Sequence, residues 1–183
     1  MDRQMELASK TVIGGATANA RQNSYLRSIE ALSRKHRNIH KLFFAITKKL
    51  NKLFPISTAI LASCSERDQS LKIIDIKKAG HTGEALGLIL SDKDSLLYSV
   101  CRSRIIFWEN QPRELKTNFL ERKLLIDSET RSLAICPIGE NGYVSGLFCF
   151  ASPAPVTMEL QDTNLLQTII REFSVGLKNH NHR

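Results

Sequence analysis

Four cysteines are the residues of this sequence best suited to covalent chemistry. Cys64, Cys101, Cys136 and Cys149 are widely spaced and form no Cys-x-x-Cys pair, so we expect reduced thiols in a cytoplasmic protein rather than a disulfide framework. A thiol enzyme would need a low-pKa thiolate beside a resolving thiol. Because Cys136 and Cys149 fall inside predicted strands and Cys101 lies on a predicted helix face, small buried side chains are the favoured interpretation.

Histidines and glycines offer weaker candidate sites. His36 and His40 have the i, i+4 spacing that can hold a metal ion, but no third ligand is near them in sequence, and we expect no metal site. The glycines Gly80, Gly83 and Gly87 superficially resemble a phosphate-binding loop. Their spacing is wrong for that motif, and an apolar run follows them, so an ordinary loop is expected.

The positive charge of the chain is concentrated near its N-terminus. Residues 1–53 hold 11 Lys/Arg against 3 Asp/Glu, whereas residues 54–183 hold 15 of each. On a helix the seven-residue spacing places Arg27, Arg34, Lys41 and Lys48 on one basic ridge, which Lys35, Arg37, Lys49 and Lys52 extend. The ridge is either a solvated helix face or a surface for nucleic acid or another anionic partner.

A long helix over 23–53 is predicted by apolar residues that recur in alternating steps of four and three. This heptad seam consists of Tyr25, Ile29, Leu32, His36, Ile39, Phe43, Ile46, Leu50 and Leu53. Pro55 ends the helix. An apolar seam on one helix needs a surface to pack against, so we expect a homodimer in which two copies bury it. His36 is a polar interruption of the seam, and its protonation should weaken the contact toward pH 5.

A β-hairpin is predicted by Asn141-Gly142, which lies between two apolar runs and favours a type I′ turn. The two-residue turn predicts these pairs: Ile138 with Ser145, Cys136 with Leu147, Ala134 with Cys149, Ile135 with Phe148 and Leu133 with Phe150. One face is then bulky and suits packing against helices, whereas the other is small. Pro137 cannot donate a ladder hydrogen bond, so its strand should be an edge or carry a bulge.

The remaining periodicity predicts an α+β protein with an antiparallel sheet. Strands are expected over 56–62, 71–77, 86–90 and 105–108, and helices over 93–102, 113–125 and 159–177. We expect a poorly ordered tail over 1–22, a domain over 54–178 and a frayed tail over 179–183. No apolar run reaches the ~20 residues of a membrane span, and the first residues carry no signal-peptide pattern.

Six segments carry a resemblance to a known family. They are Leu53-Phe-Pro-Ile-Ser-Thr-Ala-Ile-Leu61, Asp94-Ser-Leu-Leu-Tyr98 running into Arg104-Ile-Ile-Phe-Trp108, the two hairpin strands Ser132-Leu-Ala-Ile-Cys-Pro-Ile138 and Gly142-Tyr-Val-Ser-Gly-Leu-Phe-Cys-Phe150, and Asp162-Thr-Asn-Leu-Leu-Gln-Thr-Ile169. Over roughly residues 25–178 they resemble GAF domains, a family of sensory modules.

The resemblance implies a six-stranded antiparallel sheet with the long N- and C-terminal helices on one face. Small helices and loops would cover a pocket on the other face, which Ala134, Cys136, Leu147 and Cys149 would line. The bulky residues Leu133, Ile135, Phe148 and Phe150 would then pack under the long helices. The resemblance implies that Tyr98, Arg102, Trp108, Cys136 and Cys149 line the ligand-binding pocket, and a filled cavity is the alternative.

The function that the resemblance implies is a non-enzymatic regulatory module that dimerises and binds a small ligand or a partner protein. GAF domains bind cyclic nucleotides, tetrapyrroles, haem or small metabolites, and some serve as dimerisation modules. The Asn-Lys-x-Asp-Glu signature of cyclic-nucleotide binding and a bilin-anchoring cysteine are missing from this sequence, so the cofactor stays unknown. The alternatives are a module that docks its basic helix to nucleic acid or an acidic surface, and a thiol enzyme similar to free methionine-(R)-sulfoxide reductases.

Overall fold

The computed structural model describes residues 23–78, 81–84, 87–140, 142–156 and 160–181. The predicted tail over 1–22 lies outside this part of the chain, as do Asn141 and residues 182–183. Helices are α1 over 23–35, α2 (Ile39–Leu50), α3 (Leu96–Ser103), α4 (Phe119–Leu125) and α5 (Leu160–Asn181), with a 3₁₀ turn at Pro112–Glu114. Strands are β1 (Thr58–Ser65), β2 (Ser70–Lys78), β3 (His81–Glu84), β4 (Ile89–Ser91), β5 (Phe107–Glu109), β6 (Ser132–Glu140) and β7 (Tyr143–Ser152).

One antiparallel sheet forms the centre of the molecule, in the order β3-β2-β1-β7-β6-β5. β4 also pairs with β2, but at Ser70–Lys72, whereas β3 pairs at Asp75–Lys78, so the two short strands share one position beside β2. The sheet therefore has six positions. Helices α1, α2 and α5 pack on one face and α3 and α4 on the other, which confirms the predicted α+β class and sheet.

Residues 23–53 form a helical pair instead of the predicted single helix. The Tyr25 hydroxyl donates to the Lys49 carbonyl oxygen at 2.5 Å, and Lys49 Nζ lies 4.5 Å from the centroid of the Tyr25 ring. In one continuous helix, residues 24 apart would be about 36 Å from each other. The first helix ends at residue 35. Asn38 then caps α2 by accepting a hydrogen bond from the Lys41 amide. Folding back lets each short helix bury its own apolar stripe.

The predicted dimer seam is used inside the chain. Five seam residues are buried in the core shared with α5 and the sheet: Ile29, Ile39, Phe43, Ile46 and Leu50. Tyr25 and Leu32 pack against that core, His36 is half-buried, and Leu53 is exposed. The seam therefore no longer offers a continuous apolar stripe to a second copy, and the predicted His36 contact across a twofold axis loses its basis.

The hairpin forms as predicted, but its register is shifted along most of its length. Gly142 turns with a φ of 79°, and Glu140 pairs with Tyr143. A bulge then changes the register between Ile138 and Gly139, and the Ser145 hydroxyl donates to the Ile138 carbonyl oxygen at 3.2 Å. The observed pairs are Ile138 with Gly146, Cys136 with Phe148, Ile135 with Cys149, Ala134 with Phe150 and Leu133 with Ala151. All five predicted pairs are wrong because the extra residue in β7 moves every later pair by one.

Pro137 explains why the ladder tolerates this irregularity. Among the described strands, β5 pairs with Leu133 to Ile135, so Pro137 lies on a part of β6 that has no paired strand on that side. The bulge begins at the next residue, Ile138. The expectation of an edge or a bulge at Pro137 is thus confirmed on both counts.

The bulge also reverses the faces predicted for β6. Phe148 and Phe150 of β7 lie under α2 and α5, and Leu147 and Cys149 face α3 and α4, as predicted. In β6 the prediction is wrong: Ala134 and Cys136 join the core under the long helices, whereas Leu133 and Ile135 face the small helices.

Other elements differ from expectation mainly at their ends. β3 occupies residues 81–84, where a loop was predicted, and the helix expected over 113–125 is divided into the 3₁₀ turn and α4. In the part of the chain that is described, no helix combines the length and apolarity that a bilayer span requires.

Candidate functional site

Helix α3 is held at its N-terminus by a carboxylate from a neighbouring helix. The Ser95 side chain caps α3 by accepting a hydrogen bond from the Tyr98 amide at 2.9 Å. Glu121 of α4 then accepts hydrogen bonds from the amides of Leu96 (2.9 Å) and Leu97 (3.3 Å) and from the Ser95 hydroxyl. Backbone N–H groups at a helix N-terminus favour an anion, and here the anion is part of the chain.

Burial sets the protonation behaviour of Glu121. Its side chain is almost completely enclosed, and desolvation raises its pKa above the usual range. Hydrogen bonds from the Ser95 hydroxyl and from the backbone at Leu96, Leu97 and Asn118 act in the opposite direction and lower the pKa. The carboxylate thus joins α3 and α4 into one unit over the sheet.

The space between this unit and the sheet is filled with side chains. Apolar residues of α3, β1, β6 and β7 form one buried cluster, whose members include Ile60, Leu97, Val100, Leu133, Ile135, Leu147 and Cys149. Cys149, a predicted pocket residue, is completely buried there, and desolvation raises its pKa. Among the described residues, core side chains therefore fill the part of the expected interior pocket that lies between α3 and the sheet.

Two adjoining clefts lie on the outside of α3 instead, and we call them together the α3 cleft. Asp92, Ser95 and Ser99 line both. The first has a volume of about 430 Å³ and contains Tyr98 and Arg102, so the structure brings together two of the five predicted site residues at an open surface. The second, about 940 Å³, lies between α3 and the segment that leads into α4.

Polar groups converge on the second part of the α3 cleft. Lys116 and Arg122 contribute positive charge, and Glu114 contributes negative charge. The Thr117 hydroxyl is buried at this cleft and makes no hydrogen bond with any described residue. A ligand with both donors and acceptors would satisfy it.

Trp108 and Cys136 lie on the opposite side of the sheet, so their predicted place in the pocket is wrong. The Trp108 indole donates to the Val156 carbonyl oxygen at 3.1 Å and packs edge-on against Phe150 at 5.9 Å. Cys136 is enclosed in the same core, and desolvation raises its pKa to about 12. The sheet geometry places both side chains on this face. The hairpin bulge inverts the faces of β6, and β5 pairs with β6, so Trp108 shares the face of its partner Ala134.

A further cavity of about 650 Å³ opens near the end of β1. It is lined by Cys64 together with polar residues of the β1–β2 turn, Ile89 and Tyr143. Behind Cys64 lies Cys101 of α3, whose sulfur is 2.8 Å from the Cys64 sulfur.

The two histidines considered as metal ligands are separated by the helix break. His40 Nδ1 lies 2.7 Å from Asp75 Oδ2 on β2, beneath α2. Within the described ranges, no group of three or more His, Cys, Asp or Glu side chains is arranged to hold a metal ion.

Comparison with known proteins identifies the fold. No protein-family model and no curated protein sequence matches the chain. Solved structures do match it: the GAF domain of an Acinetobacter phosphoenolpyruvate-protein phosphotransferase has 17% identity and a TM-score of 0.69, covering 88% of this chain and 94% of that chain. The GAF domain of a Bacillus halodurans two-component sensor histidine kinase has 16% identity and a TM-score of 0.61, covering 76% and 93%.

The chain has the fold of a GAF domain. A third match on this fold is the free methionine-R-sulfoxide reductase of Neisseria meningitidis, solved in complex with its substrate, with 10% identity, a TM-score of 0.67 and coverage of 88% and 90%. Domains of a phosphotransferase and of a sensor kinase thus share this architecture with a sulfoxide reductase. At identities of 10–17% the similarity shows the fold alone.

Two groups of this GAF-fold chain, Ser95 and Glu121, were missed from the sequence, and so was the contact of Cys64 with Cys101. Ser95 follows Asp92 and Asp94, which are equally good capping residues, so the type of residue did not decide which one caps α3. Glu121 and Cys64 act through contacts with residues 24 to 37 positions away, which local patterns do not encode.

Proposed function

We propose that the chain is a regulatory or sensory GAF-type module that binds a small polar molecule in the α3 cleft. The observation that carries this proposal is the convergence of hydroxyl groups and charges of both signs around α3. Ser99 and Thr117 supply hydroxyls, and Tyr98 and Arg102 line the first part of the cleft. A few polar groups in fixed positions are what orients a ligand in a protein site.

The charges of the α3 cleft favour a zwitterion over a polyanion. Three cationic side chains line it, namely Arg102, Lys116 and Arg122, and three carboxylates face them, namely Asp92, Asp94 and Glu114. Arg122 already donates to the carbonyl oxygens of Arg113 and Leu115. A molecule that carries one carboxylate and one ammonium group, such as a free amino acid, would pair with Arg102 and Asp92 without leaving a charge unbalanced.

Free amino acids therefore provide the first test. We expect at least one of the standard L-amino acids to raise the melting temperature and to bind saturably by calorimetry. Changing Arg102→Gln should weaken that binding by about tenfold or more, because a hydrogen bond to a charged group is lost. The control is Arg131→Gln, which removes an exposed arginine outside the α3 cleft. Absence of saturable binding for every amino acid, or equal loss in both variants, would contradict the proposal.

The basic helices carry a second candidate function. The ridge residues Arg27, Arg34, Lys41 and Lys48 are all exposed, but they lie on two antiparallel helices rather than along one line. The described part of α1, α2 and their turn, residues 23–53, holds eight Lys/Arg and one Glu. We infer that this helical pair attracts an anionic partner, because clustered exposed cations raise the local concentration of anions.

Salt-dependent binding to short duplex DNA tests this inference. We expect Arg27, Arg34, Lys41 and Lys48 changed together to Gln to abolish the binding, since counterion release scales with the charges neutralised. A control variant removes the same number of exposed cations elsewhere, by changing Lys93, Arg113, Lys123 and Arg131 to Gln. No binding by the native protein near physiological salt, or the same loss in the control, would leave the helical pair as a solvated surface.

A further inference from the structure

The thiols of Cys64 and Cys101 are in direct contact although they come from different elements. Cys64 is the seventh residue of β1, and Cys101 is the sixth residue of α3, which crosses the sheet above it. Their sulfur atoms are 2.8 Å apart, within about 1 Å of the ~2.05 Å length of a disulfide bond. Closing that bond requires the two sulfur atoms to approach each other by less than about 1 Å.

Access to the pair is asymmetric. Cys64 lines the 650 Å³ cavity near the end of β1 and keeps 8% of its surface exposed, whereas Cys101 lies behind it with 3% exposed. A small oxidant that enters the cavity meets the Cys64 sulfur first. The Cys101 thiol donates a hydrogen bond to Cys64, which lowers the pKa of Cys64 and raises that of Cys101.

The other two cysteines are poorly placed to compete for this role. Cys136 is completely enclosed under the long helices, on the opposite side of the sheet from the pair. Cys149 lies on the same side as the pair but is completely buried in the core. Neither lines the cavity at the end of β1.

We propose that Cys64 and Cys101 are a redox-active dithiol that a hydroperoxide oxidises to an intramolecular disulfide between β1 and α3. The Cys64 thiolate attacks one peroxide oxygen, so that an S–O bond forms, the O–O bond breaks, and the leaving hydroxide or alkoxide takes a proton. Cys101 then attacks the Cys64 sulfenic acid: the S–S bond forms, the S–O bond breaks, and water leaves with the Cys101 proton. Two thiols lose two electrons in total, and one peroxide is reduced.

Hydrogen peroxide is the probe, applied in modest molar excess to the fully reduced native protein. After quenching, the protein is unfolded, its thiols are alkylated, and its peptides are mapped by mass spectrometry. We expect two of the four thiols to be lost, with a decrease in mass of two hydrogen atoms and one cross-linked peptide pair that contains Cys64 and Cys101. Four thiols still alkylated, or a link that involves Cys136 or Cys149, would overturn the proposal.

Single substitutions separate the two roles. In Cys101→Ala we expect the Cys64 sulfenic acid to accumulate and react with dimedone, whereas in Cys64→Ala no dimedone adduct should form on Cys101. Cys149→Ala, another buried cysteine of the same core, is the control and should still form the 64–101 disulfide. Circular dichroism establishes that each variant is folded, and the peptide map of the native protein decides the proposal even if one variant fails to fold. Equal dimedone labelling of Cys64 and Cys101 in the two variants would overturn the assigned order of attack.

Discussion

Replacing Phe148 by alanine is expected to lower the free energy of unfolding by about 3–5 kcal/mol. Phe148 is completely buried at the centre of the long-helix core. Its ring centroid lies 6.3 Å from that of Phe43 on α2, 5.9 Å from that of Phe150 and 5.1 Å from that of Phe173 on α5. The substitution leaves a cavity where β7 and two helices meet, and rigid secondary structure cannot collapse to fill it.

Urea denaturation measures the effect of the Phe148 change. Tyr143→Ala is the matched control, because Tyr143 is an aromatic residue of the same strand with an exposed side chain, and its loss should change stability by roughly 0.5 kcal/mol or less. If Phe148→Ala cost no more than this control, the assignment of Phe148 to the core under α2 and α5 would be wrong.

Replacing Glu121 by alanine is expected to cost about 2–4 kcal/mol of stability, because it leaves buried donors without an acceptor. The amides of Leu96 and Leu97 and the Ser95 hydroxyl all donate to this carboxylate. Glu129→Ala removes an exposed carboxylate and serves as the control, which should be close to neutral. A loss for Glu121→Ala as small as that of the control would mean that α3 does not depend on this contact.

The pH dependence of Glu121 provides a second measurement on the same residue. Its pKa is raised in the folded protein, so the folded state binds a proton more tightly than the unfolded state. The resulting stabilisation is complete below the ordinary carboxyl pKa of about 4.3 and is lost as the pH rises through the raised value. The stability of the native protein relative to Glu121→Gln should therefore fall with increasing pH in that window. A difference that grows with pH would show that hydrogen bonding outweighs desolvation.

Local patterns in the sequence predicted the elements well, since strand alternation and a turn residue such as Gly142 act over a few positions. The bulge at Ser145 could not be predicted, because it depends on how β7 meets both β6 and β1. The helix break after residue 35 could not be predicted either. Both halves of residues 23–53 carry an apolar stripe, and this pattern is the same whether the helix continues or folds back. No glycine or proline marks the break, and the contact between Tyr25 and Lys49 that reveals it is tertiary.

In the candidate site, too, local spacing could be predicted and long-range contacts could not. Tyr98 and Arg102 share one face of α3, so helical spacing was enough to place them together. Trp108 and Cys136 were misplaced because the hairpin bulge inverts the faces of β6 relative to β7, and Trp108 follows the face of Ala134, its partner on β6. The contacts of Glu121 with α3 and of Cys64 with Cys101 join segments far apart in sequence, and only the assembled sheet brings them together.

Hydrogen exchange with and without a bound amino acid is the most direct test of ligand binding in the α3 cleft. The amino acid that raises the melting temperature most is added at saturation, and exchange is followed by mass spectrometry. We predict slower exchange at residues 95–103 and 114–119, which line the cleft, and unchanged exchange in α1, α2 and α5. Protection confined to the long helices, or no protection at residues 95–103, would contradict the account.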